Sequence, residues 1–451
     1  MKGRCRVDVQ QLEEAWALRA GAREARLVAA SHVPAALSLL GIVRSGDRLV
    51  AFADDFADAF ARSFDGCGVA MVGEPSVAAF NAASEGFDAS FDAEGPHLWW
   101  FVNSIGGFGL RVPDLRALGR AAREAHALLV VDNTVAGVFG CDPRRLGAVL
   151  SLEALDRVCA GDAPHKLVAV SVARSQLKRH RVDAAAECAH ALLKGCGLVK
   201  LDLPADEAGV LECGLDSLDA RMQAHFDRAR ALAEYLAANE MVHAVRYPGL
   251  SSHPDHAVAT GILEHGFGPA VEFDLIERSA GDLFDALPGE FRTSPAGGAT
   301  TRLSAPRGKQ GSTIRLFAGT DDPLVVASTL DNALRKQLIG VCVTKTAYLL
   351  RLSHRGRPYP PISKIAKLST SGFIFIMSGM VEGIQLNVVD GPVLWHEPQS
   401  EGTVDNNSVP KGLLCIDAGD EVVGFGGDDV VDVGLQLLVG RYGALAGGGE
   451  R

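Results

Sequence analysis

Two kinds of apolar pattern alternate from about residue 8 to residue 200. Apolar positions at three- and four-residue steps predict helices over Val9–Ala20, Val33–Leu40 and Pro113–Ala125. Short, nearly continuous apolar runs predict strands over Ala25–Ala30, Arg48–Ala53, His97–Val102 and Ala127–Val131, the last running into Asp132. A turn at Ser45-Gly46-Asp47 leads into the second of these strands. Strands bounded by helices, apolar along their whole length, imply a mostly parallel sheet covered on both faces.

The clearest helix is Ser217–Asn239. Leu218, Met222, Phe226, Ala229, Leu232 and Leu236 recur at helical steps, and Ser217 is placed to cap the first turn. After Tyr247-Pro248-Gly249 the pattern turns α+β, with strands expected over Pro269–Leu275 and Thr313–Phe317. A basic, proline-bearing stretch beginning Leu352-Ser353-His354-Arg355 reads as a linker. Strand-like runs follow it at Gly372–Met377, Ile384–Val389, Leu413–Ile416 and Glu421–Phe425, and no short-period repeat is present. The expected organisation is a large domain over 1–215, a connecting helix and smaller α+β domain over 216–351, and a linker with a β-rich extension over 352–451.

Composition narrows the function classes. The 451 residues are 47% hydrophobic and 22% charged, ordinary for a globular chain, and the formal charge is −11. That balance argues against nucleic acid or an anionic membrane surface as a partner. None of the nine cysteines forms a CxxC pair or a zinc-spaced Cys/His group, so neither a redox motif nor a metal is expected. Residues 1–30 hold no apolar signal-peptide core, and the longest apolar runs are too short to span a bilayer. A cytoplasmic protein is expected.

Three features carry candidate chemistry. The run Val130-Val131-Asp132-Asn133-Thr134 is a buried strand ending in a carboxylate, where open α/β sheets bind ligands. Asp132 there either acts on a ligand or caps the next turn. In Ile314-Arg315-Leu316 the guanidinium could clamp a carboxylate bidentately, although an arginine that snorkels to the surface explains the pattern more simply. His253 and His256 could share a metal only on a helix, and the intervening Pro254-Asp255 argues for a loop.

Longer segments carry a resemblance. Ser45–Phe60, Gly109–Leu115, Val130–Thr134, Leu146–Gly161, Gly214–Leu250, Ser252–Leu275 and Thr313–Asp322 follow one family in order and approximate spacing. From about residue 8 to residue 340 the chain resembles the cysteine/methionine-metabolism, or trans-sulfuration, enzymes that depend on pyridoxal phosphate and are similar to cystathionine gamma-synthase. The resemblance implies the aspartate-aminotransferase-like fold type I: a mostly parallel α/β sheet domain and a smaller α+β domain, paired into dimers and tetramers.

Carried over residue by residue, the resemblance is uneven. Asp132 matches the aspartate that pairs with the pyridine nitrogen and keeps the ring an electron sink. Arg315 matches the arginine that binds the α-carboxylate of an amino-acid substrate. The family's Schiff-base lysine lies in a Ser-x-Thr-Lys pattern, and here the ungapped reading gives Ala154-Leu155-Asp156-Arg157. Arg157 thus stands at the lysine position, and a guanidinium stays protonated and is no nucleophile. Ala154 and Asp156 replace two phosphate-holding hydroxyls. Phe56 stands for the stacking tyrosine and keeps its ring face without the phenol, and Gly107 falls where an asparagine reaches the cofactor. His32-Val33 follow Ser31 where the family has a Gly-Met cradle of backbone amides, so the resemblance leaves Asp132, Phe56 and Ser31 as the cofactor-binding residues. An N-terminal arm bearing Tyr-x-Arg is also expected to be lacking.

These substitutions lead to one expectation and one alternative. The expectation is a degenerate homologue with impaired catalysis and a scaffold, regulatory or ligand-binding role. It would bind pyridoxal phosphate weakly and without a covalent bond, and would pair with itself or with a paralogue. The alternative is an active carbon–sulfur lyase or transferase that draws its amine from another lysine, with Lys166 the nearest. An activity carried by 352–451 is a third reading. Under either of the first two, an amino-acid-like small molecule is the expected ligand. Asp132 should end a central parallel strand, and Arg157 should enter the same cleft from a facing loop.

Overall fold

The period-two alternation of the strands is what builds the central layer. In β4 (Leu98–Asn103), Trp99 and Phe101 join one apolar cluster, while Leu98, Trp100 and Val102 join another on the opposite face. The next strand, β5 (Ala127–Asp132), divides in the same way, Leu128 and Val130 against Ala127, Leu129 and Val131. Helix Ala184–Gly195 covers the first face with Ala185, Cys188, Ala189, Leu192 and Leu193. Helix Leu115–Glu124 covers the second with Leu115, Leu118, Ala121 and Ala122. Each large apolar side chain buried this way contributes about 1.5–3 kcal/mol.

The computed structural model describes residues 9–53, 57–92, 94–158, 166–174, 182–196, 201, 205–276, 278–335, 387–388, 413–417 and 422–426. Five further strands complete the first sheet: β1 (Glu24–Ala29), β2 (Arg48–Ala51), β3 (Gly68–Met71), β6 (Leu150–Ala154) and β7 (Leu167–Val172). Its order is β1-β7-β6-β5-β4-β2-β3. The strands from β3 to β6 run parallel, and β7 is antiparallel to both β6 and β1. Asp132 ends β5, the fourth of the seven, in register with Asn103 of β4 and Leu152 of β6.

A second, antiparallel sheet is built from β8 (Val242–Arg246), β9 (Ala270–Leu275), β10 (Arg302–Ser304) and β11 (Thr313–Phe317), in the order β10-β11-β9-β8. Its core face carries Val271, Phe273, Leu275, Ile314 and Leu316, packed against Ala229, Leu232, Ala233 and Leu236 of the helix Leu218–Ala237. The first turns of that helix pack instead with Leu12, Trp16 and Ala20, through Leu218, Met222 and Phe226. One helix therefore bridges two cores and brings His225 between them.

The chain divides into two compact units, Met1–Gly340 and Val341–Arg451. In the second, β12 (Asn387–Val388) pairs parallel with β13 (Leu413–Asp417), which pairs antiparallel with β14 (Val422–Gly426). The expected strand Gly372–Met377 lies outside the described residues.

The predicted helix Val9–Ala20 and strand Thr313–Phe317 have those same bounds. Helix Val33–Leu40 shortens to Ala35–Leu39, and Ser217 does not cap. The physical reason is that helix Ala205–Asp216 runs directly into it, leaving no free first turn. The Ser217 hydroxyl donates backward instead, to the carbonyls of Cys213 at 3.1 Å and Gly214 at 3.4 Å. Among the described residues no helix is long and apolar enough to cross a membrane.

Candidate functional site

A cavity of about 170 Å³ opens where β5 ends, and its lining includes Asn103, Asp132, Thr134, Arg157, His225 and Arg315. That is below the ~300 Å³ at which drug-sized ligands are enclosed, so the space suits a small ligand. Asp132, Arg157 and Arg315, singled out in the sequence on separate grounds, line this one space. Ser31 is exposed, and its hydroxyl pairs with His32 Nδ1 at 2.7 Å. Phe56 lies outside the described residues.

The carboxylate of Asp132 is fixed locally. Its Oδ1 accepts from the Thr134 amide at 3.0 Å, and its Oδ2 lies 3.5 Å from Asn103 Nδ2. Asp132 thus both closes its own turn and lines the cavity, and the two readings open in the sequence are compatible. Asn103 and Asp132 can stand side by side because Gly106 leaves room: a Cβ there would lie 2.6 Å from that of Asn103. Asn103 Oδ1 is buried with no hydrogen-bond partner.

Arg157 follows β6 on the short helix Leu155–Val158, at the same carboxyl end of the sheet as Asp132. It is exposed, so it stands on the solvent side of the cavity. Gly297 rests on its backbone, at φ +87°, where a Cβ would come within 2.4 Å of the Arg157 carbonyl oxygen. Asp156 turns its carboxylate toward the Leu167 amide at 3.4 Å, and burial raises its pKa despite the neighbouring Arg157 charge. Among the described residues no lysine lines the cavity. Lys166 donates its Nζ to the Ser31 carbonyl at 3.2 Å.

Arg315 is buried rather than snorkelling to the surface, and it is heavily engaged. Its Nη2 donates to Glu272 Oε2 at 2.8 Å and to the Gly107 carbonyl at 2.7 Å, and its Nε reaches the same Oε2 at 3.2 Å. Glu272 is buried, and its Oε1 accepts from the Gly109 amide at 2.9 Å and from Arg246 Nε at 3.0 Å. Arg246 in turn forks onto Asp274 at 2.7 and 2.8 Å. This four-residue ladder arises because Arg315, Glu272 and Arg246 are cross-strand neighbours on β11, β9 and β8.

His225 was not singled out in the sequence. Its Nδ1 lies 2.8 Å from the Ala318 carbonyl and so carries the proton, while its Nε2 is buried without a hydrogen-bond partner. Burial lowers its pKa, which keeps the ring neutral and Nε2 an acceptor. The available signal was its place in the helix beside Met222 and Phe226, which made it look like a core residue. Glu272 and Arg302 were also missed. Glu272 is a charge between apolar strand neighbours and Arg302 follows a pair of threonines, and only the three-dimensional register shows what faces them.

The two histidines weighed for a metal are each held by backbone. His253 Nε2 lies 2.9 Å from the Gly109 carbonyl, and His256 Nδ1 lies 2.8 Å from that of Pro248. Asp255 between them accepts from Nε and Nη2 of Arg111, at 2.6 and 3.0 Å, and from the Val112 amide. Among the described residues no group of three or more potential ligands could hold a metal.

Comparison with known proteins bears on the whole arrangement. A methionine gamma lyase from Micromonospora echinospora, solved in the apo form, superposes with a TM-score of 0.58 at 27% identity, covering 72% of this chain and 86% of that one. Cystathionine beta-lyase from Lactococcus lactis subsp. cremoris is 30% identical over 171 residues, 38% of this chain and 42% of the lyase. O-acetyl-L-homoserine sulfhydrylase 1 from Thermus thermophilus is 28% identical over 288 residues, 59% of this chain and 68% of that protein. The chain thus spans less than half the length of the first of these two relatives. A family model described as Cys/Met metabolism PLP-dependent enzyme matches residues 6–307, and the chain belongs to that family.

Proposed function

We propose that this chain is a degenerate member of its family, impaired in covalent cofactor chemistry and kept for a ligand-binding, regulatory or scaffold role. The observation that carries the reading is Arg157 in the cavity lining with Asp132, and no lysine there among the described residues. The residues present fit pyridoxal phosphate only in part. Asp132 suits a protonated ring nitrogen, whereas Ala154 and the carboxylate of Asp156 offer nothing to a phosphate. An amine for covalent attachment is missing from the described lining, and a guanidinium cannot replace it. The cofactor would therefore be held weakly and without a covalent bond.

The engagement of Arg315 by Glu272 supports the same reading. An arginine meant for a substrate carboxylate already has a carboxylate of its own. The names borne by the relatives, lyase and sulfhydrylase, describe an amino-acid chemistry for which this cavity is poorly equipped. The proposal extends to a cytoplasmic protein that assembles with itself or with an intact paralogue.

Absorbance of the purified protein with and without added pyridoxal phosphate tests the proposal, followed by borohydride reduction and peptide mapping. The expected result is no new visible band and no lysine labelled. A labelled lysine, Lys166 above all, overturns it in favour of a working lyase or transferase.

A further inference from the structure

Two guanidiniums, Arg157 in the lining of this cavity and Arg302 on the strand beside the lining residue Phe317, have no salt-bridge partner among the described residues. Arg157 lines the cavity from the carboxyl end of β6. Arg302 begins β10 and is the ladder partner of Phe317, itself a lining residue, so the two side chains share a face of the small sheet. The Nε of Arg302 is buried and has no hydrogen-bond partner. Among the described residues neither the Arg157 nor the Arg302 side chain makes a hydrogen bond or a salt bridge, although the charges of Arg157 and Asp156 act on each other. Gly297, seated on the Arg157 backbone, ties that residue to the segment that leads into Arg302. Burial lowers the pKa of Arg302, and the Arg157 charge adds to it, which accords with two cations in mutual reach.

The half-buried guanidinium of Arg302 is costly without a partner, and repulsion from the exposed Arg157 adds to that cost. An oxyanion between them would remove both penalties through charge-assisted hydrogen bonds. Arg315 has no such need, because Glu272 already faces it.

We propose that Arg157 and Arg302 form an oxyanion site at the mouth of the cavity, taking over the role of anion anchor that Glu272 denies to Arg315. The ligand is a small molecule with a carboxylate or phosphate at one end and an N–H donor at the other. Acceptors for that donor lie in the same cavity lining: Asn103 Oδ1 and His225 Nε2, both buried without a hydrogen-bond partner. Asp156 is the acidic neighbour of Arg157, and its carboxylate is directed to the Leu167 amide. The inference rests on the reading of Arg157 as a binding rather than a catalytic group.

Titration calorimetry on the full chain at low ionic strength tests it, with inorganic phosphate, acetate and L-alanine as probes. At least one probe is expected to bind, and Arg157→Gln and Arg302→Gln should each weaken it about tenfold or more. Arg157→Lys keeps the charge and should lose less. Arg157 is exposed, so its variants should keep the parent thermal midpoint, which separates lost binding from lost folding. Binding of phosphate alone assigns a phosphate-bearing ligand, and binding of acetate or L-alanine a carboxylate. No binding by any probe, or binding indifferent to both substitutions, overturns the proposal. None of these probes can form a covalent bond to lysine, so the outcome is independent of borohydride labelling.

Discussion

Arg315 and Glu272 face each other across β11 and β9, with Nη2 2.8 Å from Oε2, in a buried pair that no solvent reaches from the carboxylate side. Such a pair adds little net stability compared with apolar packing, but breaking it is expensive because one charge is left uncompensated. In Glu272→Ala, Arg246 keeps Asp274 and Arg315 keeps the Gly107 carbonyl. The expected loss is therefore toward the low end of the range for broken buried pairs, about 3 kcal/mol by urea denaturation. Added acetate should raise the thermal midpoint of the variant more than chloride at equal ionic strength, and by more than it raises that of the parent. A variant as stable as the parent would show that the pair is electrostatically idle.

Restoring the family pattern is a direct test of degeneracy. Arg157→Lys alone supplies an amine but leaves Ala154 and Asp156, so a phosphate still meets a carboxylate. The combined variant Ala154→Ser, Asp156→Thr, Arg157→Lys restores the two hydroxyls as well. With added pyridoxal phosphate, borohydride should then label position 157 in the combined variant, weakly in the single one, and nowhere in the parent. Equal labelling of all three at another lysine would mean that Arg157 is not where the amine used to be.

Much of this arrangement was legible in the sequence, and the rest had a definite reason to be hidden. The alternation Ile314-Arg315-Leu316 fixes Arg315 on the face opposite the core, and Val271-Glu272-Phe273 does the same for Glu272. What no single strand can state is register. Only the pairing of β9 with β11 puts these two charges opposite each other, and only the pairing of β10 with β11 puts Arg302 beside Phe317. The place of Asp132 was clearer, because a continuous apolar run ending in a carboxylate has few alternatives in a parallel sheet. His225 was hidden for a different reason. A histidine at a core spacing of an amphipathic helix reads as packing until the cavity beside it is seen.

Glu153 gives the pH dependence. It points from β6 into the interior, where Oε2 accepts from the Val138 amide at 2.9 Å and Oε1 lies 3.4 Å from Asn133 Nδ2. Burial dominates, against the opposing effects of Arg144 and these hydrogen bonds, and the nearby Asp132 adds to it, so its pKa is pushed up to about 8. In the unfolded chain the group titrates near its ordinary value of about 4.3. Between those two values the native state holds a proton that the unfolded state has released. Stability must then fall as pH rises across this window. The contribution of Glu153 is complete below about pH 4 and is gone above the native pKa, a change of several kcal/mol for a shift of this size. Glu153→Gln keeps the shape and the acceptor for Val138 while removing the titration. The variant should match or exceed the parent at pH 8 to 9, and its stability should change less between pH 5 and 8, read as the urea midpoint at each pH. If parent and variant lose stability in parallel over that range, Glu153 is ionised in the native state and its burial is compensated by Arg144.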